Sequence, residues 1–173
     1  MRGYVTKVLL DKNGKPKKMF KGNFLWKFIF KVFGKDVKSI FTGYWTIKPI
    51  ICNTITTKGK EVTAARLGGI SGYDAANYIA IGIGSGGTTA LNSEITTGGG
   101  ERGAGVGSVV TTTTTNDTLR LIKTFNFTAS FAVIEEGVFD ASSTGNMVAY
   151  QSFSAVSVEN GDTFQITHNI KLA

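Results

Sequence analysis

A mainly β fold is what this chain of 173 residues predicts: an antiparallel β-sandwich or jelly-roll-like barrel, with an N-terminal hairpin and one or two short helices. Three observations carry that expectation. The chain holds 22 Gly against 2 Pro, with threonine and β-branched residues dominating its C-terminal half, a mixture suited to short strands joined by glycine turns. From residue 118 on, apolar and polar residues alternate with period 2, the mark of strands buried on one face. Turn signals separate those runs: Asn116-Asp117, Asp140 to Asn146, and Glu159-Asn160-Gly161-Asp162.

Taken in order, Tyr4 to Leu10 is β-prone, Asp11-Lys12-Asn13-Gly14 signals a turn, and Lys15 to Phe20 returns as the second arm of a hairpin. Asn-Gly is expected to supply the positive φ angles of that turn. Over residues 24–41 two patterns compete. Lys27, Lys31, Lys35 and Lys38 form one helical stripe, with Phe24, Leu25, Phe28, Ile29, Val32 and Phe33 on the other side. The strand alternative sets Phe24, Trp26, Phe28 and Phe30 against Leu25, Lys27, Ile29 and Lys31. The helix is preferred because the lysine stripe continues past Gly34. A second helix is expected over residues 54–67, stopped by Gly68-Gly69, although Gly59 and several threonines weaken it. Strands are expected at 77–83, 105–114, 118–133, 137–139, 146–156 and 163–172. In the long run 118–133, Leu119, Leu121, Lys123, Phe125, Phe127, Ala129, Phe131 and Val133 share one face. Phe164, Ile166, His168, Ile170 and Leu172 alternate likewise.

Charge divides the chain. Residues 1–60 carry 14 Lys and Arg against Asp11 and Asp36, whereas residues 61–173 carry 5 against 10 acidic residues. The division suggests a basic, aromatic-rich hairpin and arm over residues 1–50 and a β-sandwich body over 51–173 with a short leading helix. Lysines interrupt each apolar stretch at the N-terminus, so no signal peptide is expected. No run reaches the roughly 18 apolar residues of a membrane span. The single cysteine, Cys52, allows no internal disulfide framework.

Four features invite a chemical role. Gly82-Ile83-Gly84-Ser85-Gly86-Gly87 resembles a phosphate loop, but Thr88-Thr89 follows without the lysine such a loop needs, and no βαβ unit is in sight. It is therefore expected to be a strand exit. His168, the one histidine, could join Cys52, Asp117 or Asp162 in a nucleophilic arrangement; a satisfied strand residue is the simpler expectation, and zinc lacks further ligands. Glu135-Glu136, with Asp140, is the close acidic cluster of the β region. Neighbours on a strand face opposite ways, so a solvated charge or a salt bridge to Arg102 or Arg120 is expected, not a catalytic pair. The arm interleaves aromatics with lysines, and its expected interface anchors are Phe24, Trp26, Lys27, Phe28, Lys31, Phe33 and Trp45. Such a surface can bury in a neighbouring subunit, stack on nucleic acid or lie on a membrane; burial against protein is preferred. No cofactor or metal is expected.

Laid out this way, the chain resembles a recurrent family of tailed-phage virion proteins. The resemblance rests on the hairpin of Gly3 to Lys18, the helix of Thr54 to Gly69, the Tyr78-Ile79-Ala80-Ile81 strand with its Thr/Ala-rich loop to Leu91, Glu101-Arg102, Phe125 to Val133, Glu136-Gly137-Val138-Phe139-Asp140 and the closing Phe164 to Leu172. Residues 21–50 look like an insertion in that pattern. The resemblance implies a non-enzymatic structural component of the particle, located in the virion and in host cytoplasm during assembly. A capsid decoration or cement role, binding the major capsid protein or other virion subunits as a homo-oligomer, is favoured over a tail-associated or tail-fibre adhesion role. A nucleic-acid-binding module using the arm is the alternative from another class.

Overall fold

The computed structural model describes residues 2–17 and 53–172. Residues 18–52, which include all seven expected anchors and Cys52, lie outside the described residues, as does the expected helix at 24–41. The described residues form nine strands and one helix, in chain order β1 (Arg2–Leu10), β2 (Thr54–Ile55), α1 (Thr57–Leu67), β3 (Tyr78–Gly82), β4 (Gly103–Ala104), β5 (Val106–Val110), β6 (Thr118–Asn126), β7 (Phe131–Phe139), β8 (Met147–Val158) and β9 (Thr163–Lys171). They form two antiparallel sheets, ordered β1-β9-β6-β5 and β2-β8-β7-β3-β4. The mainly β expectation therefore holds.

The period-2 pattern explains why the sheets pack face to face. On β9, Phe164, Ile166 and Ile170 point to one side; on β6, Leu121 and Phe125 match them. Ile79 and Ile81 of β3, Val133 and Val138 of β7, and Val156 and Val158 of β8 meet them from the second sheet in one continuous core. A smaller apolar cluster of Ala80, Leu91, Phe139 and Met147 seals the outer face of that second sheet.

The run 118–133, expected as one strand, is two. It bends at residues 127–130, so that β6 lies in the first sheet and β7 in the second. Its antiparallel partner β8–β9 bends at 159–162, and the two bends are stitched together: Phe127 N–H donates to Asp162 O (2.9 Å) and Gly161 N–H to Phe127 O (2.8 Å). A long hairpin is thus folded over on itself. Alternation survives the bend, which is why the sequence pattern carries no break there.

Residues 2–10, grouped by charge with the arm, are an edge strand of the body, paired with β9 from Arg2↔Lys171 to Leu10↔Thr163. The hairpin turn has one positive φ, at Gly14 (72°), and not the two that an Asn-Gly pair was expected to supply. Asp11 organises it instead, its carboxylate accepting from Asn13 N–H and Lys15 N–H, both 2.9 Å. Among the described residues the return arm is a single bridge, Leu10↔Pro16.

The helix begins three residues later than expected, because Thr54 and Ile55 are held as a short strand against Tyr150 and Ala149 of β8. Thr56 caps it, accepting from Gly59 N–H at 2.8 Å, and its hydroxyl donates to Met147 O. Gly59, which weakened the helical expectation, is what allows the helix to dock. A Cβ there would run into the Val148 carbonyl oxygen of β8. We expect Gly59→Ala to raise intrinsic helix propensity and yet destabilise the protein by about 1–3 kcal/mol through overpacking, read from urea unfolding midpoints. An unchanged or higher midpoint would refute this docking constraint.

Candidate functional site

The glycine run first examined for phosphate binding leaves β3 at Gly82 and doubles back. Ile83 N–H donates to Ser93 O, Ile95 N–H to Ile81 O, and Gly82 bridges Glu94. No helix follows, so no helix N-terminus faces the loop. The loop is held from below by Glu135, fully buried on the outer face of β7. Its Oε1 accepts from Asn92 N–H (2.9 Å) and Ser93 N–H (3.1 Å), and its Oε2 from the Tyr150 hydroxyl (3.2 Å). Tyr150 in turn accepts from Gly86 N–H at 2.7 Å. A Cβ at Gly82 would lie 2.5 Å from Glu135 Oε1, so this glycine is needed for close approach. The strand-exit expectation is correct, and the carboxyl group beneath the loop is spent on loop backbone.

Glu136 faces the opposite way, as the alternation of a strand requires. It is fully buried between the sheets, where its Oε1 meets His168 Nδ1 at 2.8 Å. The other ring nitrogen of His168, Nε2, meets the Asn53 carboxamide, which also donates to Asn169 O at 3.3 Å. In this arrangement the amide donates to Nε2, so the proton sits on Nδ1 and points at the carboxylate. On the second sheet the β8 neighbour of Glu136 is Gln151, also buried. Three acceptor atoms of this layer, Asn53 Oδ1, Glu136 Oε2 and Gln151 Oε1, have no hydrogen-bond partner.

Lys7 lies close enough to the layer to feel the charge of Glu136. It sits on β1 between the inward-facing Val5 and Leu9, with its Nζ 3.4 Å from the centre of the Phe153 ring. Burial lowers its pKa to about 8, against the opposing pull of Glu136. The expected solvation or Arg pairing of the acidic cluster is therefore incorrect. Glu135 and Glu136 are fully buried, and among the described residues neither pairs with arginine. Arg102 makes a two-pronged contact with Glu94 (2.9 and 2.5 Å), donates to Thr144 O and Ala141 O, and stacks 3.6 Å from the Phe139 ring centre. Arg120 donates to Asn169 Oδ1. Asp140 closes its own turn on Asn146.

His168 is a satisfied strand residue, as expected. Of the acids considered as its partners, Asp117 holds the 112–114 turn through three backbone N–H groups, which keep its carboxyl well below the usual range. Asp162 accepts from Glu159 N–H and from Lys17. The true partners, Glu136 and Asn53, were missed. Alternation places Lys7 in the row Val5-Lys7-Leu9 and His168 in the row Ile166-His168-Ile170, but it does not name the residues that meet them across the sheets.

A surface recess of about 330 Å³, lined by Glu94, Thr96, Glu101, Arg102 and residues 142–144, is the described concavity with mixed charge. Its guanidinium is occupied by Glu94 and two carbonyls, so the recess offers hydroxyls and carboxylates more than a free cation. Among the described residues no three His, Cys, Asp or Glu side chains cluster as a metal site. No helix among them is long and apolar enough to cross a membrane. No family model, curated protein or solved structure significantly matches the chain.

Two outcomes test the polar layer. Glu136→Ala strands His168 without its acceptor and is expected to cost about 3–5 kcal/mol, whereas Glu136→Leu combined with His168→Phe recovers at least about half of that loss; equilibrium unfolding of the three proteins checks it. For Lys7 the folded pKa lies below the unfolded one, so between pH 8 and about 10.4 the unfolded chain binds more protons. Stability conferred by this residue therefore rises across that window. The difference in unfolding free energy between the native chain and Lys7→Met should favour Met most at pH 7 and shrink towards pH 10. A difference independent of pH would refute the assignment.

Proposed function

We propose that this chain is a non-enzymatic structural protein of a tailed-phage particle, most simply a head-associated decoration or cement protein. In this role the sandwich is a rigid mount, and the basic aromatic segment is the part that grips neighbouring subunits. The supporting observation is how the segment is mounted. It leaves the body after Lys17, which pairs with Asp162 at 2.8 Å and with Glu159 at 2.9 Å, and returns at Asn53, which is tied to His168. Both tether points lie along or just before β9. The described residues on either side of 18–52 are thus both tied to the body. Pinning lowers the entropy lost when such a segment binds. Its lysines are suited to an acidic protein surface and its aromatics to pockets on it.

The chemistry-bearing side chains of the described body support the same role. Glu135, Glu136, His168, Asp117, Asp162 and Arg102 are each committed to backbone or to one another. A sugar-gripping role is disfavoured, because the exposed large apolar side chains of the described residues are all aliphatic.

The test replaces residues 18–52 with a Gly/Ser linker of about twelve residues, long enough to rejoin the tethers while sparing β1. The replaced protein is expected to fold and to be lost from purified particles, as quantified by mass spectrometry; undiminished incorporation would defeat the gripping role. The nucleic-acid alternative is favoured by the interleaved lysines and aromatics themselves. It requires that affinity for a DNA or RNA duplex fall steeply between about 50 and 200 mM salt. Absence of binding at the lower salt removes it.

A further inference from the structure

The two edges of the first sheet are built differently. At one edge, β1 carries an inward-pointing lysine, Lys7, and is covered at its end by the hairpin return through Pro16. Inward charges and prolines are devices that discourage strand-to-strand association. The opposite edge, β5, has none of them. From Gly103 to Asn116 there is no charged residue and no proline in a chain whose net charge is +7. Its pairing with β6 is regular, without a bulge, and among the described residues its other side has no strand neighbour. Val106 is 75% exposed on one face and Val109 64% exposed on the other. The edge strand of the second sheet on this side, β4, is two residues long.

We propose that β5 is a self-association edge, and that its occupant is β5 of a second copy of this chain. The pair would run antiparallel about a twofold axis at Ser108 and join two four-stranded sheets into one. Three features choose a second copy over a different partner. An uncharged strand meets itself without the repulsion that two surfaces of net charge +7 would otherwise impose. It also offers nothing for a charged partner strand to recognise.

Residue complementarity is the third feature. Pairing about Ser108 sets Gly107 against Val109 of the second copy on the face shared with Leu121 and Leu119, small against large on both sides of the axis. On the other face it sets Val106 against Val110, with Ser108 facing its own equivalent. Five paired residues bury less than the roughly 1,200 Å² of a stable interface, so the contact is weak between free molecules and effective where copies are held side by side. The inference rests on strand chemistry and is independent of the particle role.

The experiment is sedimentation equilibrium of the full chain from about 5 to about 500 µM, with Val106→Lys and Val109→Lys variants. Both positions are exposed, so the variants are expected to keep the native melting temperature. The native chain should rise from 18.5 kDa towards twice that mass. The variants should associate at least about tenfold more weakly, and amide exchange at residues 106–110 should slow with concentration in the native chain alone. A native chain that stays monomeric throughout overturns the proposal. So does undiminished association of the lysine variants. Association lost on replacing residues 18–52 but kept in the lysine variants overturns it too, and moves the interface to the basic insertion.

Discussion

The hydrogen-bonded chain Glu136–His168–Asn53 is the constraint that the two sheets share. Glu136 belongs to β7, His168 to β9, and Asn53 to the point where the chain re-enters the body ahead of β2. An apolar interface between two sheets is tolerant of sliding, because one branched side chain replaces another at little cost. A buried carboxylate against one imidazole nitrogen, with an amide on the other, has a single satisfactory alignment. Slipping β9 by one residue would turn His168 out to solvent and leave Glu136 alone in the core. The layer is expensive to desolvate. Its physical value lies in registration: it sets which row of one sheet faces which row of the other.

From that registration the rest follows in sequence. With Glu136 facing inward, Glu135 must face outward, directly under the returning loop of residues 83–93. There it substitutes for a strand partner, supplying acceptors to two backbone N–H groups that no neighbouring strand satisfies. The same adjacency that made the two glutamates a poor catalytic pair makes them two separate staples, one for the core and one for the loop. Tyr150 extends the outer staple to Gly86, so side chains of β7 and β8 reach into the glycine run.

What the sequence made legible was whatever depends on alternation. The two-sheet fold, the faces of β6 and β9, the opposed glutamates and the harmless glycine run all follow from period 2 and local turn chemistry. What it concealed depends on three-dimensional closure. The bend at 127–130 leaves alternation intact and carries no glycine or proline, because the stitch that creates it comes from Gly161 and Asp162, more than thirty residues away in the chain. Gly59 read as a weak helix position when it is a contact surface for β8. Lys7 and His168 looked like ordinary strand residues. Only the pairing of β1 with β9, and of β9 with β6, reveals that both project into the same interior.

The basic insertion draws its physical meaning from this frame. Had residues 18–52 hung from an N-terminal tail, their attachment would be one covalent bond and their reach that of a random chain. Instead the segment is bracketed by a strand on each side, and each bracket ends in an electrostatic or hydrogen-bonded tie: Lys17 on the corner at Asp162, Asn53 on the central histidine. The corner is itself the stitch that folds the long hairpin over, and the histidine is the registration point of the sheets. The chain on either side of residues 18–52 is therefore tied to the corner at Asp162 and to the histidine between the sheets. The second tie links the core polar layer to the point at which the chain leaves its most basic stretch and rejoins the body.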